Sequence, residues 1–363
     1  MKINVSMFGL DRTGGTIVHL RYLEALRRAG HEVSVTTLGR AGDRRFIVPG
    51  PDVDTTYVGL RSRPYKALVK VTPGHLGFPR REQRRLERAI PQADLQLCGY
   101  SLTVEPALAT GNPVHYHVQH FEPLITQGRR AQQLALQSYL LDTYMTANCT
   151  WVAGRVADAG GTVRGLVCPA IDHDIFNAYD RRPATDGEIR VITLGKRVAW
   201  KGLTDIVEAI KTFAASRSEK VTLVSYGPDA PSSSLGRASL EHHGFVDQRT
   251  LAELYRSASV CVSASWYESF PLPPLEAMAT GTPVICTRLG TEDYATHEEN
   301  ALVLPAREPA ALVASLDRLV DDAPMRDELT ANGIATARRF TWGAAEAAFV
   351  EHATAAAGER QSR

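Results

Sequence analysis

The sequence predicts an α/β protein built from βαβ units, and three observations lead there. First, 363 residues suit two domains or one large α/β unit. Second, Ser259–Cys286 reads as strand, loop, helix, strand. Ser259–Ala264 alternates as a short β-branched strand, and Pro273 and Pro274 fit the first positions of a helix. Leu275–Ala279 are strong helix formers, Gly281 caps them, Pro283 stops them, and Val284–Cys286 begins the next strand. Third, the N-terminus has the same plan: a strand at Ile3–Phe8, a glycine-rich turn from Gly9 to Thr16, a helix from about Ile17 to Arg28, and a strand at Val33–Thr37.

Composition narrows the function classes. Hydrophobic residues make up 44% and charged residues 22%, enough to bury a sizeable core. The net charge of +1 argues against a dedicated nucleic-acid binder. Residues 1–175 hold 21 Lys and Arg against 15 Asp and Glu, while 176–363 hold 20 against 25, so the N-terminal half is the basic one. Much of that excess falls in 61–88, a segment suited either to a solvated helix face from about Pro79 to Ala89 or to an anionic acceptor or lipid surface. The five cysteines show no metal spacing and read as buried thiols of a reducing compartment. With no leader pattern and no run of about 20 apolar residues, the expectation is a cytoplasmic protein with peripheral membrane contact left open.

Further elements follow in chain order. Val114–Val118 is a strand that puts His115 and His117 on one face, where two histidines without a third spaced ligand do not make a metal site. Gln132–Tyr144 reads as a long helix, and Thr150–Ala153 and Gly165–Cys168 as short strands. The polar stretch Asn177–Glu188, with Pro183 and Gly187, reads as a hinge. Beyond it come strand Ile189–Leu194, a helix from about Leu203 to Ala215, strand Val221–Tyr226, and the helix Leu251–Ala258. Helices at Ala310–Leu319 and Met325–Phe340, and a last one starting at Thr341-Trp342, close the chain.

The chemistry concentrates in Glu268-Ser269-Phe270-Pro271-Leu272 and Glu276. Two carboxylates stand eight positions apart across a loop and the first turn of a helix. A helix N-terminus is a seat for phosphate, and flanking carboxylates accept bonds from hydroxyls. This arrangement suits a sugar nucleotide.

The string E-S-F-P-L-P-P-L-E-A-M-A-T-G-T-P-V resembles the signature of the retaining GT-B glycosyltransferases of family GT4. Gly195-Lys196-Arg197 through Lys201-Gly202 resembles the family's G-R-x4-K-G, with Lys196 at the strict Arg position and Arg197 one later. Gly14 and Gly15 resemble its N-terminal Gly-Gly loop, and Glu299-Asn300-Ala301-Leu302 its E-N-G-L. Where the family carries a His after the Val114–Val118 strand, this chain has Gln119, with His120 next.

The resemblance implies a GT-B fold of two Rossmann-like domains facing across a cleft. Its expected division is an acceptor domain over 1–170, a hinge over 171–188, a donor domain over 189–341, and a helix 342–357 crossing back to the first. It implies transfer of a sugar from a nucleoside-diphosphate sugar to an acceptor hydroxyl with retention; no DxD motif follows a strand where it could hold a metal, so no metal or other cofactor is expected. UDP-sugar is the first choice of donor, with GDP- and dTDP-sugar as alternatives. The acceptor would be a sugar, a lipid or a natural product, and nucleic acid is no partner. Catalytic roles fall to His120 with Gln119 second, Glu268 and Lys201. Donor contacts fall to Gly14, Gly15, Lys196, Arg197, Lys201, Phe245, Glu268, Ser269, Phe270, Pro271, Leu272 and Glu276, with Glu268 on the sugar and Glu276 on the ribose. Pro271 lacks an N–H, leaving those of Phe270 and Leu272 for the sugar. A GT-B sugar-nucleotide epimerase and a non-catalytic binding protein are the alternatives.

Overall fold

The computed structural model describes residues 1–7, 10, 14–38, 53–58, 78–126, 128–181, 187–231 and 234–359, with the side chains of 78–82 aside. It divides into two units, Met1–Cys168 with Gly343–Arg363, and Pro169–Trp342.

In the first unit, seven parallel strands lie in the order β3-β2-β1-β4-β5-β6-β7. They are β1 Lys2–Met7, β2 Glu32–Leu38, β3 Asp54–Val58, β4 Leu95–Cys98, β5 Val114–Val118, β6 Tyr144–Ala147 and β7 Val163–Leu166. Strands buried on both faces lose strict alternation, and β1, β4 and β5 are buried along nearly their whole length. The helices are α1 Gly14–Arg28, α2 Phe78–Ala89, α3 Ser101–Leu108, α4 Glu122–Ile125, α5 Arg129–Ser138, α6 Thr150–Asp158 and, from the far end of the chain, α12 Trp342–Gly358. Phe349 of α12 is fully buried and stacks on Tyr22 of α1 at 4.2 Å.

The second unit has six parallel strands in the order β10-β9-β8-β11-β12-β13. These are β8 Glu188–Leu194, β9 Lys220–Tyr226, β10 Ser239–His242, β11 Val260–Ser263, β12 Val284–Thr287 and β13 Leu302–Leu304. Around them pack α7 Leu203–Ser216, α8 Gln248–Ser257, α9 Leu272–Ala279, α10 Pro309–Asp321 and α11 Ala323–Ala337. Ile189, Val191, Ile206, Ile210, Phe213 and Leu223 sit in its core.

Both sheets reverse strand order at one point, between β1 and β4 in the first unit and between β8 and β11 in the second. Loops leaving the carboxyl ends of those two neighbours diverge, and the crevice between them is where doubly wound sheets bind ligands.

Several local expectations are corrected. The α1 helix begins at Gly14, so Gly14 and Gly15 form its first turn rather than a preceding loop. The expected long helix Gln132–Tyr144 ends at Ser138, and Tyr144 already belongs to β6, because the sheet needs a strand there. Thr150–Ala153 opens a helix, its amides met by Cys149, whose sulfur accepts the N–H of Val152 at 3.4 Å. All five cysteines are free thiols. The basic residues 61–77 lie outside the described residues. In α2, Leu86 and Gln83 point inward while Arg84 and Arg88 are exposed. Among the described residues no helix is long and apolar enough to cross a membrane.

Candidate active site

In the second unit the loops after β8 and β11 meet at the switch point. The β8 loop ends in a 3-10 turn, Ala199–Lys201, and Gly202 with φ of 67°. A side chain at Gly202 would land on the carbonyl of Ala264, so only glycine lets the two loops cross. Trp266 donates its N–H to the Trp200 carbonyl at 2.7 Å and locks the crossing. As a result the Lys201 ammonium lies on Oε1 of Glu268, which also accepts from Ser265 Oγ at 2.7 Å.

The Glu268 loop is fixed from its other side. Glu268 donates its N–H to Leu289 O at 3.0 Å and Phe270 to Gly290 O at 3.2 Å. Gly290 has φ of 95°, and a Cβ there would strike the Glu268 carbonyl. Phe270 has φ of 68°, rare for a bulky residue, and is held there by burial of its ring against Tyr294 and Phe340. This corrects one expectation: the Phe270 N–H is engaged by Gly290 and is not offered to a sugar. Pro271 caps α9 and Leu272 is its first residue, with Ser269 largely buried beside them.

Lys196 and Arg197 part ways. Arg197 turns its guanidinium onto the Ala230 carbonyl at 2.8 and 3.1 Å, and its N–H bonds Asp229 Oδ2 at 2.8 Å. Lys196 belongs to the Lys201–Glu268 cluster. Burial, then the neighbouring Lys201 charge, lower its pKa, while Glu268 and Asp229 oppose them. The residue at the strict position of the motif therefore feels the charges of Lys201 and Glu268, while the Arg197 guanidinium is taken up by Ala230.

Glu276, in α9, is buried. Burial raises its carboxyl to about 7, against a hydrogen bond from Tyr255 Oη to its Oε2 at 3.3 Å. Tyr255 in turn meets Tyr226 Oη at 2.6 Å. Phe245 lies in the loop after β10 and is 82% exposed; the preceding Gly244 carbonyl accepts from Gly227 N–H at 2.6 Å.

The first unit brings Gly15, Gln119 and His120 together. A Cβ on Gly15 would come within 2.5 Å of Gln119 Oε1 and 4.0 Å of His120 Nε2. Gln119 is buried, and its Nε2 donates to Nδ1 of His19 at 2.6 Å. His19 escaped the sequence reading; its only signal was its place four residues after Gly15. Its ring covers Gly99, where any side chain would collide with it, and burial lowers its pKa to about 4 against the Gln119 bond. His115 and His117 share the hydroxyl of Thr146 at 2.8 and 3.0 Å in the core, both kept neutral by burial. Glu122, just past His120, is buried under bonds from Ser101 N–H, Ser101 Oγ and Tyr116 Oη, and burial lifts it to about 7. No group of three or more His, Cys, Asp or Glu suited to a metal occurs among the described residues.

The profile of the family "Glycosyl transferases group 1" matches residues 188–322. An uncharacterized glycosyltransferase of Methanocaldococcus jannaschii is 29% identical over 154 residues, 40% of each chain. The D-inositol 3-phosphate glycosyltransferase of Streptomyces griseus is 34% identical over 122 residues, 33% of this chain and 26% of that one. The matched segments thus span well under half the length of these relatives. Among solved structures, sucrose-phosphate synthase from Thermosynechococcus elongatus superimposes with a TM-score of 0.74 at 19% identity, over 97% of this chain and 98% of that one. Anabaena HepE in complex with UDP-glucose gives 0.73 at 15% identity, over 98% and 100%. Residues 188–322 thus match the glycosyl transferases group 1 family, and the two parallel sheets have the fold of the GT-B structural neighbours.

Proposed function

We propose that the protein transfers a sugar from a nucleoside-diphosphate sugar to an acceptor hydroxyl, with retention at the anomeric carbon. The observation that carries this reading is the meeting of Lys201 with Glu268 at the switch point of the second unit, with Lys196 alongside. Two ammonium groups there face a developing diphosphate charge, and a lysine has three donors, so Lys201 serves phosphate while still held by Glu268. Stabilising the departing diphosphate is the main electrostatic work of such a site, and these cations do it without metal. Glu268 accepts bonds from donor-sugar hydroxyls, and Glu276 holds the ribose. In the first unit, Gln119 and His120 beside Gly15 serve the sugar and acceptor end. UDP-sugar is the first donor to try, since a neighbour of the same fold binds UDP-glucose.

The test is turnover of a panel of UDP-, GDP- and dTDP-sugars with and without sugar, lipid and natural-product acceptors, in EDTA. Acceptor-dependent release of nucleoside diphosphate is expected. Interconversion of the donor without acceptor would make the protein an epimerase, and binding without turnover a silent binder. Activity that vanishes in EDTA and returns with Mn²⁺ or Mg²⁺ would overturn the metal-free reading.

A further inference from the structure

Three loops of the second unit converge on Tyr226. It closes β9, its carbonyl accepts the N–H of Gly195 at 2.6 Å, and the next N–H, of Gly227, goes to Gly244 at 2.6 Å. Its hydroxyl meets that of Tyr255, which reaches Oε2 of Glu276. Both tyrosines are buried, Tyr255 completely, and the Tyr255 backbone is pinned by Thr282 Oγ1 at 2.7 Å. The Tyr255 hydroxyl donates its one proton to Oε2 of Glu276 at 3.3 Å, so its oxygen is left to accept from Tyr226. The chain runs one way, from Tyr226 through Tyr255 to Glu276. This is the one hydrogen bond the Glu276 carboxyl makes among the described residues.

We propose that Tyr255, backed by Tyr226, is a positioning residue that fixes the Glu276 carboxylate for the two hydroxyls of a ribose, so that the site selects ribonucleotides over 2′-deoxyribonucleotides. The inference rests on the reading of Glu276 as a donor-binding residue. With Oε2 held from behind, Oε1 faces the nucleotide in one orientation. A carboxylate so fixed tells a diol from a single hydroxyl, because a missing hydroxyl leaves a buried acceptor unpaired. Without the Tyr255 hydroxyl the carboxylate turns about its last bond and adapts to either sugar. The same chain ties Glu276 to Gly195 and Gly244, so the loops beside Lys196 and Phe245 are set by the residue that sets the ribose contact.

Calorimetry with UDP, GDP and their 2′-deoxy counterparts tests this on the wild type and on Tyr255→Phe, Tyr226→Phe and Glu276→Gln. The wild type should hold UDP or GDP about five- to ten-fold more tightly than its 2′-deoxy form. Tyr255→Phe should bring that ratio to within about two-fold, and Tyr226→Phe should lower it part of the way. A merely structural tyrosine would weaken both nucleotides equally and leave the ratio alone. If Glu276→Gln loses the preference while both tyrosine variants keep it, the positioning role is wrong and the donor reading stands. If the wild type shows no preference and Glu276→Gln binds as it does, or if neither nucleotide binds, both fall together. Should Tyr255→Phe fail to fold, Tyr226→Phe decides.

Discussion

Lys201 and Glu268 stand 67 positions apart in the chain, yet the ammonium of one rests on the carboxylate of the other. Two groups expected to serve different parts of one donor are paired with each other. Both are largely withdrawn from water, with 18% and 10% of their side chains exposed.

The first prediction concerns that pair. Lys201→Ala should weaken nucleoside-diphosphate binding by about 1.5–3 kcal/mol, the worth of a charge-assisted hydrogen bond. Glu268→Gln should weaken it far less, since the cation it frees still meets phosphate. Calorimetry on both variants reads this, and unchanged affinity in Lys201→Ala would remove Lys201 from the site.

The second separates the two glutamates. Glu268→Gln should lower kcat more than it raises the donor KM, because contacts near the reacting carbon tighten as charge develops. Glu276→Gln should chiefly raise the donor KM, as loss of a contact made equally before and during reaction does. Steady-state kinetics with the true donor decides, and the reverse pattern would exchange the two roles.

A third prediction follows from the loop that carries Glu268. Gly290→Ala combines a left-handed backbone with a collision against the Glu268 carbonyl, whereas Gly30→Ala has only the strained backbone, with open space around it. Gly30→Ala should cost about 1 kcal/mol of stability with activity intact. Gly290→Ala should cost more and should also lower kcat. Equal activity in the two variants would show that the Glu268 loop tolerates displacement.

The fourth concerns acid. Burial holds His19 at about 4 and His115 at about 3, and His117 well below the usual imidazole range. Below about 6.5 the unfolded chain binds protons there that the folded one refuses, so stability falls as pH drops. For His19 alone the loss at pH 5 is about 2 kcal/mol. Glu122, raised to about 7, acts in the opposite direction, because the folded state holds its proton between about 4.5 and 7. Three histidines outweigh one carboxyl, and the first unit should soften between pH 7 and 5. Amide exchange of peptides covering Val114–Val118, corrected for its intrinsic pH dependence, should rise over that range and rise further in Glu122→Gln. Flat protection would count against it.

Much of the second unit was legible because its motifs are punctuated. Pro273 and Pro274, Gly281 and Pro283 mark where α9 begins and ends, and Lys201-Gly202 announces the crossing that brings Lys201 to Glu268. The first unit was harder. Tyr144–Ala147 continues a helix-like run without a strong breaker, and only the vacant place beside β5 makes it a strand. Cys149 is an unusual cap, so α6 looked like a strand from its Thr, Trp and Val. His19 carried only its spacing from Gly15 as a signal, since one histidine on an amphipathic helix is an ordinary core residue until Gln119, 100 positions on, comes to meet it. The fate of the Phe270 amide depends on Gly290, again a tertiary partner that local pattern does not reveal.

The Phe349 ring, stacked on Tyr22 and touching His115 and His117, sets a schedule for synthesis. A ribosome delivers 1–168 first, then all of the second unit, and only afterwards the helix that seals the first unit's histidines from water. The nascent first unit therefore waits, with Tyr22 and its neighbours uncovered, while the second folds ahead of it. Premature stops after Trp342 should leave a second unit that is well formed and a first unit that chaperones recognise.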